Sequence, residues 1–339
     1  MGNCNSRATE DIILPCERDP PQLKPTPAVK IFAHPNSSFS IFFRYALTLK
    51  SVPFHLVSSN HNSLLFGTNV FSGSRESLLR VLDQKFPHPR HPKLVPTSGA
   101  LYRKEGSLLV LLLEGETTPL VARMIALQHR SIALHLERFV QRVEDLKSRG
   151  RGKSGRGSNT LVRNAKFEMK EFGEKLNCLM EILIEHSQIE ERIVFPVLNA
   201  ADQGFNRSVS EEHERHIVIL NGIKEVAKMI QMIPEGIRNH QEALSNLLSR
   251  VNLLEKSCKA HFEEEQRDVL PLMEKVNLSE EQQHKMVDRC VDLMKATHSN
   301  LLPFLVEGLL PWETMLYLDL IVTCKEESQA VRILNRIAS

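Results

Sequence analysis

The stretch His186-Ser187-Gln188-Ile189-Glu190-Glu191-Arg192-Ile193-Val194-Phe195-Pro196 decides the fold, because the chain repeats it. The second copy, His261-Phe262-Glu263-Glu264-Glu265-Gln266-Arg267-Asp268-Val269-Leu270-Pro271, starts 75 residues further on. In both copies His is followed by Glu at +4, Arg at +6, an apolar pair at +8 and +9, and Pro at +10. Residues i and i+4 leave a helix on one face. Each copy therefore aims an imidazole and a carboxylate at one point, and two such helices facing each other supply two of each to a common centre. Each copy also has a histidine upstream: His129 lies 57 residues before the first and His213 lies 48 before the second.

Working outward, these groups fall on four helix-like segments. Thr117 or Thr118 followed by Pro119 reads as a helix start, with a hydroxyl at the N-cap and Pro in the first turn. That helix runs to about Lys147, with Leu120, Met124, Ile132, Leu136, Phe139 and Val143 on its apolar stripe. His129 shares the stripe, whereas His135 is offset and is expected to be exposed. The second helix spans about Thr160 to Leu198, with Cys178 expected as a small buried hydrophobe. The third opens on the capping box Ser208-Val209-Ser210-Glu211 and ends before Pro234. It carries His213 and, three residues on, His216 as an alternative; His213 is preferred for its place near the helix start. The fourth runs from about Glu235 to Met273. Four long helices with inward apolar stripes make a four-helix bundle.

Composition sets the frame. The 339 residues are 42% hydrophobic and 25% charged, an ordinary globular mix. A net charge of +2 carries no general signature of nucleic-acid binding. Six cysteines (Cys4, Cys16, Cys178, Cys258, Cys290, Cys324) form no CxxC pair, which argues against a disulfide framework or a structural zinc site. No apolar run reaches the length of a membrane span.

Four imidazole nitrogens and two carboxylates suit iron, manganese or zinc better than calcium or soft copper. Six ligands exceed one tetrahedral zinc. They suffice for two octahedral metals, each with two histidines, bridged by Glu190 and Glu265. With this pattern the stretch from about Leu120 to Met273 resembles a hemerythrin-type HHE cation-binding domain, down to the Phe195-Pro196 and Leu270-Pro271 endings. The resemblance implies a di-iron centre held by His129, His186, Glu190, His213, His261 and Glu265. The oxygen carriers of that family have one more histidine on the third helix, four residues after the first. Here that position is Ile217, so reversible oxygen transport in the narrow sense is not expected.

The flanks add three further units. Met1-Gly2-Asn3-Cys4-Asn5-Ser6 fits myristoylation of Gly2, with Cys4 placed for a second, palmitoyl chain. Five prolines between Pro15 and Pro27 then read as an extended linker, so residues 1–27 form an acylated tail. Residues 28–114 read as a small α/β domain. Strands are expected at Ala28–Ala33 and Pro53–Val57, helices at Ser37–Lys50 and Ser74–Phe86, and two late strands around Leu101 and Leu108–Leu113. Its opening, Ile31 to Val57, resembles the thioredoxin-like half of glutathione transferases. That likeness would make Ser37 or Ser38 the counterpart of the transferase serine, although no cysteine precedes the helix and the usual Glu-Ser pair for glutathione is missing. The bundle occupies 115–275.

Residues 276–339 read as a helical extension, opened by a Ser279–Gln282 cap, with an apolar turn region at Leu301–Trp312 that packs on the bundle. This extension is similar to the segments that follow hemerythrin domains in plant iron-responsive ubiquitin ligases; without a Cys/His-rich zinc region the chain is not expected to be such a ligase alone. The basic loop at 148–158 contains Gly152-Lys153-Ser154. A phosphate loop would need glycine where Lys147 stands, with a strand before it, so nucleotide binding is rejected.

The reading as a whole is a mainly α protein: a hemerythrin-like bundle with extra C-terminal helices, preceded by a thioredoxin-like α/β domain. The favoured function is non-catalytic di-iron binding that senses iron, O2 or a related diatomic gas, at the cytoplasmic face of a membrane or in the cytoplasm. The alternatives are a di-iron or glutathione-dependent enzyme, or a membrane-anchored interaction scaffold.

Overall fold

The computed structural model describes residues 28–96, 118–151, 165–201, 208–234, 238–295 and 297–338. The expected acyl sites Gly2 and Cys4, the proline linker, the strands expected near Leu101 and Leu108–Leu113 and most of the basic loop lie outside the described residues.

The N-terminal unit is α/β. Strand β1 (Val29–Ala33) leads into helix α1 (Ser38–Leu49), then β2 (Phe54–Ser58), β3 (Ser63–Phe66), β4 (Asn69–Phe71) and helix α2 (Arg75–Lys85). The sheet order is β2-β1-β3-β4, with β1 and β2 parallel and the other pairings antiparallel. Ser37 caps α1 by accepting from Ser40 N, and Ser74 caps α2 by accepting from Ser77 N. The antiparallel pair β3–β4 was not expected from the sequence. Its signal is Phe66-Gly67-Thr68-Asn69, a two-residue hairpin loop whose Gly67 has φ +59°, a conformation that favours glycine.

The four long helices form as expected. They are α3 (Leu120–Arg151), α4 (Ala165–Ile189), α6 (Ser208–Met232) and α7 (Arg238–Glu264). Helix α3 packs on α4 and α7, and α6 packs on the same two, which closes a four-membered ring. After α4 and after α7 the chain makes one wide π turn, Glu190–Val194 and Glu265–Val269. It then continues as α5 (Phe195–Ala200) and α8 (Leu270–Lys275). The cause is the shared proline. Pro196 and Pro271 lack an N–H, and their rings would strike the carbonyls of Arg192 and Arg267 in a regular helix. The ladder shifts instead, so Phe195 N bonds Glu190 O and Leu270 N bonds Glu265 O. A third π turn, Thr297–Leu301, precedes Leu302-Pro303 in the same way.

The extension comprises α9 (Glu280–Leu293), α10 (Leu302–Glu307), α11 (Pro311–Cys324) and α12 (Glu327–Ala338). Ser279 and Gln282 form the expected capping box. The stretch read as an apolar turn is largely helical, and it does pack on the bundle, through α3. The open carbonyls of the short α10 are satisfied by α3 side chains, as helix ends require. His135 Nε2 lies 2.7 Å from Phe304 O, the Ser131 hydroxyl donates to Leu305 O at 2.7 Å, and Arg138 donates to Glu307 O at 2.8 Å. His135 is therefore buried and stacked on Phe304, not exposed; the extension covers a face that helical periodicity alone assigns to solvent. Cys178 is half-buried rather than buried. The Thr118 hydroxyl donates to Glu274 at 3.0 Å.

Helix α12 returns to the N-terminal unit and lies against α1. Glu327 there accepts from Ser38 N and from the Ser38 hydroxyl, both at 2.7 Å. Arg75 at the start of α2 pairs with Asp319 and donates to Thr323 at 2.7 Å. One connected apolar core runs from Val29 in β1 to Leu334 in α12.

Candidate metal centre

Each of the four bundle helices or their π turns delivers its part to one buried point. His129 comes from α3, His186 from the end of α4, His213 from the start of α6 and His261 from the end of α7. Glu190 and Glu265 are the first residues of the two π turns. All six expected residues come together, each 7% exposed or less. They form two quartets: His129, His186, Glu190 and Glu265, and Glu190, His213, His261 and Glu265, each with its ligand atoms within 4.8 Å of one another.

The carboxylates are shared oxygen by oxygen. Glu190 Oε1 lies 3.5 Å from His186 Nε2 and 3.6 Å from His129 Nε2, while its Oε2 lies 3.1 Å from His213 Nε2. Glu265 Oε2 lies 3.3 Å from His129 Nε2, while its Oε1 lies 3.4 Å from His261 Nε2 and 3.9 Å from His213 Nε2. We call the quartet with His129 and His186 position 1, and that with His213 and His261 position 2. Each glutamate gives one oxygen to each position.

The residues present fit a pair of cations. Glu190 Oε2, His213 Nε2, His261 Nε2 and both Glu265 oxygens are buried without a hydrogen-bond partner. Buried polar atoms are rarely left so, and several converging on one point mark the place of a group that accepts lone pairs. His129 Nε2 and His186 Nε2 face each other at 3.1 Å, where at most one hydrogen can serve both.

Charge regulation in the bare cluster shows the same strain. Burial pushes the Glu265 carboxyl up, and the neighbouring Glu190 charge adds to it. Burial also acts on Glu190, but the imidazoles of His186, His129 and His213 outweigh it and hold that carboxyl well below its usual range. Burial drives His186 down to about 3 and His261 down to about 2, so both are neutral and ready to ligate. At His213 burial is outweighed by Glu190, which lifts it to about 9; His129 is raised likewise by Glu190 and Glu265. A metal entering here replaces those protons.

His216, the alternative on the third helix, is not part of either quartet. Its Nε2 bonds the Ser257 hydroxyl at 3.0 Å, and its ring lies 5.2 Å from that of His261.

Sequence reasoning missed the residues that hold the far side of each imidazole. Gln128 Oε1 accepts from His186 Nδ1 at 3.0 Å, and the Gln266 side-chain amide stands 3.2 Å from His129 Nδ1. Glu191 Oε1 lies 3.1 Å from His213 Nδ1, and Glu212 Oε2 lies 2.8 Å from His261 Nδ1. A signal for them was present. Gln128 and Glu212 each precede a single histidine, and Glu191 and Gln266 each follow a ligand glutamate.

The transferase-like reading of Ser37 or Ser38 meets an occupied site. The Ser37 hydroxyl accepts from Ser40 N and donates to His34 O at 2.8 Å. The backbone and hydroxyl of Ser38 are both taken by Glu327.

The fold and site define a class: a four-helix bundle with an inward imidazole–carboxylate cluster split over two positions. Residues 120–273 match the family described as the hemerythrin HHE cation binding domain, and this part of the chain is hemerythrin-like. The chain is also 29% identical over 147 residues to "Zinc finger protein BRUTUS" of Arabidopsis thaliana. That match covers 43% of this chain and 11% of the relative. No solved structure matches.

Proposed function

We propose that this protein binds two irons at the paired positions and that their occupancy and oxidation state report iron or oxygen, or a related diatomic gas, to the rest of the molecule. The observation that carries the reading is the splitting of both carboxylates, one oxygen of each to either position, with Glu190 Oε2 and both Glu265 oxygens left without a hydrogen bond. Bound iron would supply redox and oxygen chemistry. The chain's own residues hold and exclude: His129, His186, His213 and His261 would ligate through Nε2, and Glu190 and Glu265 would bridge. Phe262, stacked on His129 at 4.2 Å, shuts water from position 1. A cation that ties four helices together stabilises the folded state in proportion to the logarithm of its concentration over Kd. The sensing arm of the proposal rests on that linkage.

The test is metal content and unfolding midpoint of protein purified from iron-supplied cells, with an optical spectrum before and after air exposure. About two irons per chain are expected from the two quartets, with an oxygen-dependent band and a midpoint that falls on chelation. Metal content that is sub-stoichiometric, and unchanged in His186→Ala plus His261→Ala, would sink the reading. A midpoint indifferent to iron would sink the sensing arm alone.

A further inference from the structure

The two positions are built alike by the repeat, yet the residues behind them differ. Gln128 and Glu212 occupy equivalent places, one residue before His129 and His213. Glu191 and Gln266 do too, one residue after Glu190 and Glu265. Each upstream residue holds the second histidine of its own half: Gln128 holds His186, and Glu212 holds His261. Each downstream residue holds the single histidine of the other half: Glu191 holds His213, and Gln266 stands at His129. The cross-connection puts both amides behind position 1 and both carboxylates behind position 2.

We infer that Gln128, Gln266, Glu191 and Glu212 are positioning residues that make the two metal positions chemically unequal, so that position 2 loads first and holds the ferric ion. This rests on the di-iron reading above. A carboxylate that accepts the Nδ1 proton makes the opposite nitrogen a stronger donor; a neutral amide fixes the ring but adds little basicity. The bridging charge of Glu190 and Glu265 is common to both positions. Glu191 and Glu212 therefore add two negative charges behind position 2 alone, which favours the more highly charged ion there. They are 40% and 35% exposed, so water screens their through-space field; the hydrogen bonds at 3.1 and 2.8 Å remain.

The surroundings agree. Position 1 is slightly the drier one: His129 and His186 are each 1% exposed, against 7% and 2% for His213 and His261, and the Phe262 ring stacks on His129 alone. Its amide is also fixed by the extension, because Gln128 Nε2 donates to Met294 Sδ at 2.9 Å and thereby turns its oxygen to His186. Either orientation of the Gln266 amide leaves His129 with a neutral partner. At position 2 the His216 ring lies 5.2 Å from that of His261.

The experiment titrates metal-free full-length protein with ferrous iron under anaerobic conditions, by calorimetry. Two resolved steps are expected in the wild type. Glu191→Gln and Glu212→Gln should weaken the first step by about 10–100-fold and spare the second. Gln128→Ala should weaken only the second. His129→Ala should keep the first step, and His261→Ala should lose it. A second readout is the Mössbauer spectrum of the one-electron-oxidised protein. One ferric component is expected in the wild type, and ferric iron spread over two components in the Glu191→Gln/Glu212→Gln double variant.

Two irons binding in one indistinguishable step would overturn the inference while leaving the di-iron reading intact. So would Glu212→Gln and Gln128→Ala weakening both steps alike. A wild-type chain that takes fewer than two irons overturns both. Circular dichroism of each metal-free variant separates a folding defect from lost affinity. Glu191→Gln lies on a different helix from Glu212→Gln and keeps the test decisive if one of them fails to fold.

Discussion

At the scale of single residues, the chain places several histidines where charging them is costly. His298 is the clearest outside the metal centre. Its Nδ1 lies 2.9 Å from Met294 O and its Nε2 lies 3.0 Å from the Tyr317 hydroxyl. Both partners are satisfied when Nδ1–H donates to Met294 O and Nε2 accepts from Tyr317 O–H, which is the neutral ring. Burial brings its pKa down from 6.5 to about 4. The folded state then binds fewer protons than the unfolded one between those values. His298 costs nothing above pH about 6.5, and stability is lost as pH falls from there through about 4, by roughly 3 kcal/mol at most. Denaturant midpoints of metal-free protein should therefore fall less steeply between pH 7 and 4 in His298→Gln than in the wild type. Equal slopes would dismiss the argument. The convergence of His186, Glu190, His261 and Glu265 was legible because a fixed spacing on a helix aims each pair at one point, and His129 and His213 joined them through the family resemblance. The four residues behind them were not, because nothing in helical periodicity says which of several acidic or amide neighbours turns inward.

At the scale of elements, α10 is a short helix whose end α3 completes. Three of its carbonyls are met by His135, Ser131 and Arg138. The approach is close at Gly308. A Cβ added there would meet Ser131 Oγ at 2.4 Å, Ser131 O at 2.7 Å and Ser131 Cα at 2.8 Å. Backbone cannot swing aside as a side chain can, so Gly308→Ala should cost about 1–3 kcal/mol. Because Ser131 lies two residues from His129, the same change should also weaken iron at position 1. Thermal unfolding and metal titration of that variant check both parts; an unchanged melting temperature would mean that α10 is held elsewhere. The long helices were readable from their apolar stripes, and the start of the first and the end of the third from Pro119 and Pro234. The hairpin at Phe66–Asn69 was passed over because strands of three and four residues carry too few alternations to register. The π turns were foreshadowed only by the apolar-Pro endings, whose effect on the hydrogen-bond ladder requires a backbone in hand.

At the scale of the whole molecule, the C-terminal extension joins the bundle to the α/β unit. It covers α3, reaches Gln128 through Met294, and ends on α1 through Glu327. The packing therefore gives the metal centre a continuous line of contacts to the α/β unit, a connection that the sequence divided into four successive segments did not suggest. The structure describes no helix long and apolar enough to cross a membrane. Attachment by acylation of Gly2 and Cys4 stays a proposal carried by Met1–Ser6. One myristoyl chain binds a bilayer only marginally, so both groups are needed for stable anchoring. Gly2→Ala should move the protein from the membrane pellet to the soluble fraction of lysed cells; a variant that stays in the pellet would end that proposal.

The clasp between Glu327 and Ser38 also has a consequence in time. The two residues lie 289 positions apart, so the carboxylate that seats the start of α1 is translated long after Ser38. At ~5–20 residues per second, roughly 15–60 s separate the synthesis of Ser38 from that of Glu327. Throughout that interval the amide and hydroxyl of Ser38 lack the carboxylate that holds them in the fold. The start of α1 is thus seated only once Glu327 has been made, and a nascent chain that stalls before it leaves Ser38 without that carboxylate.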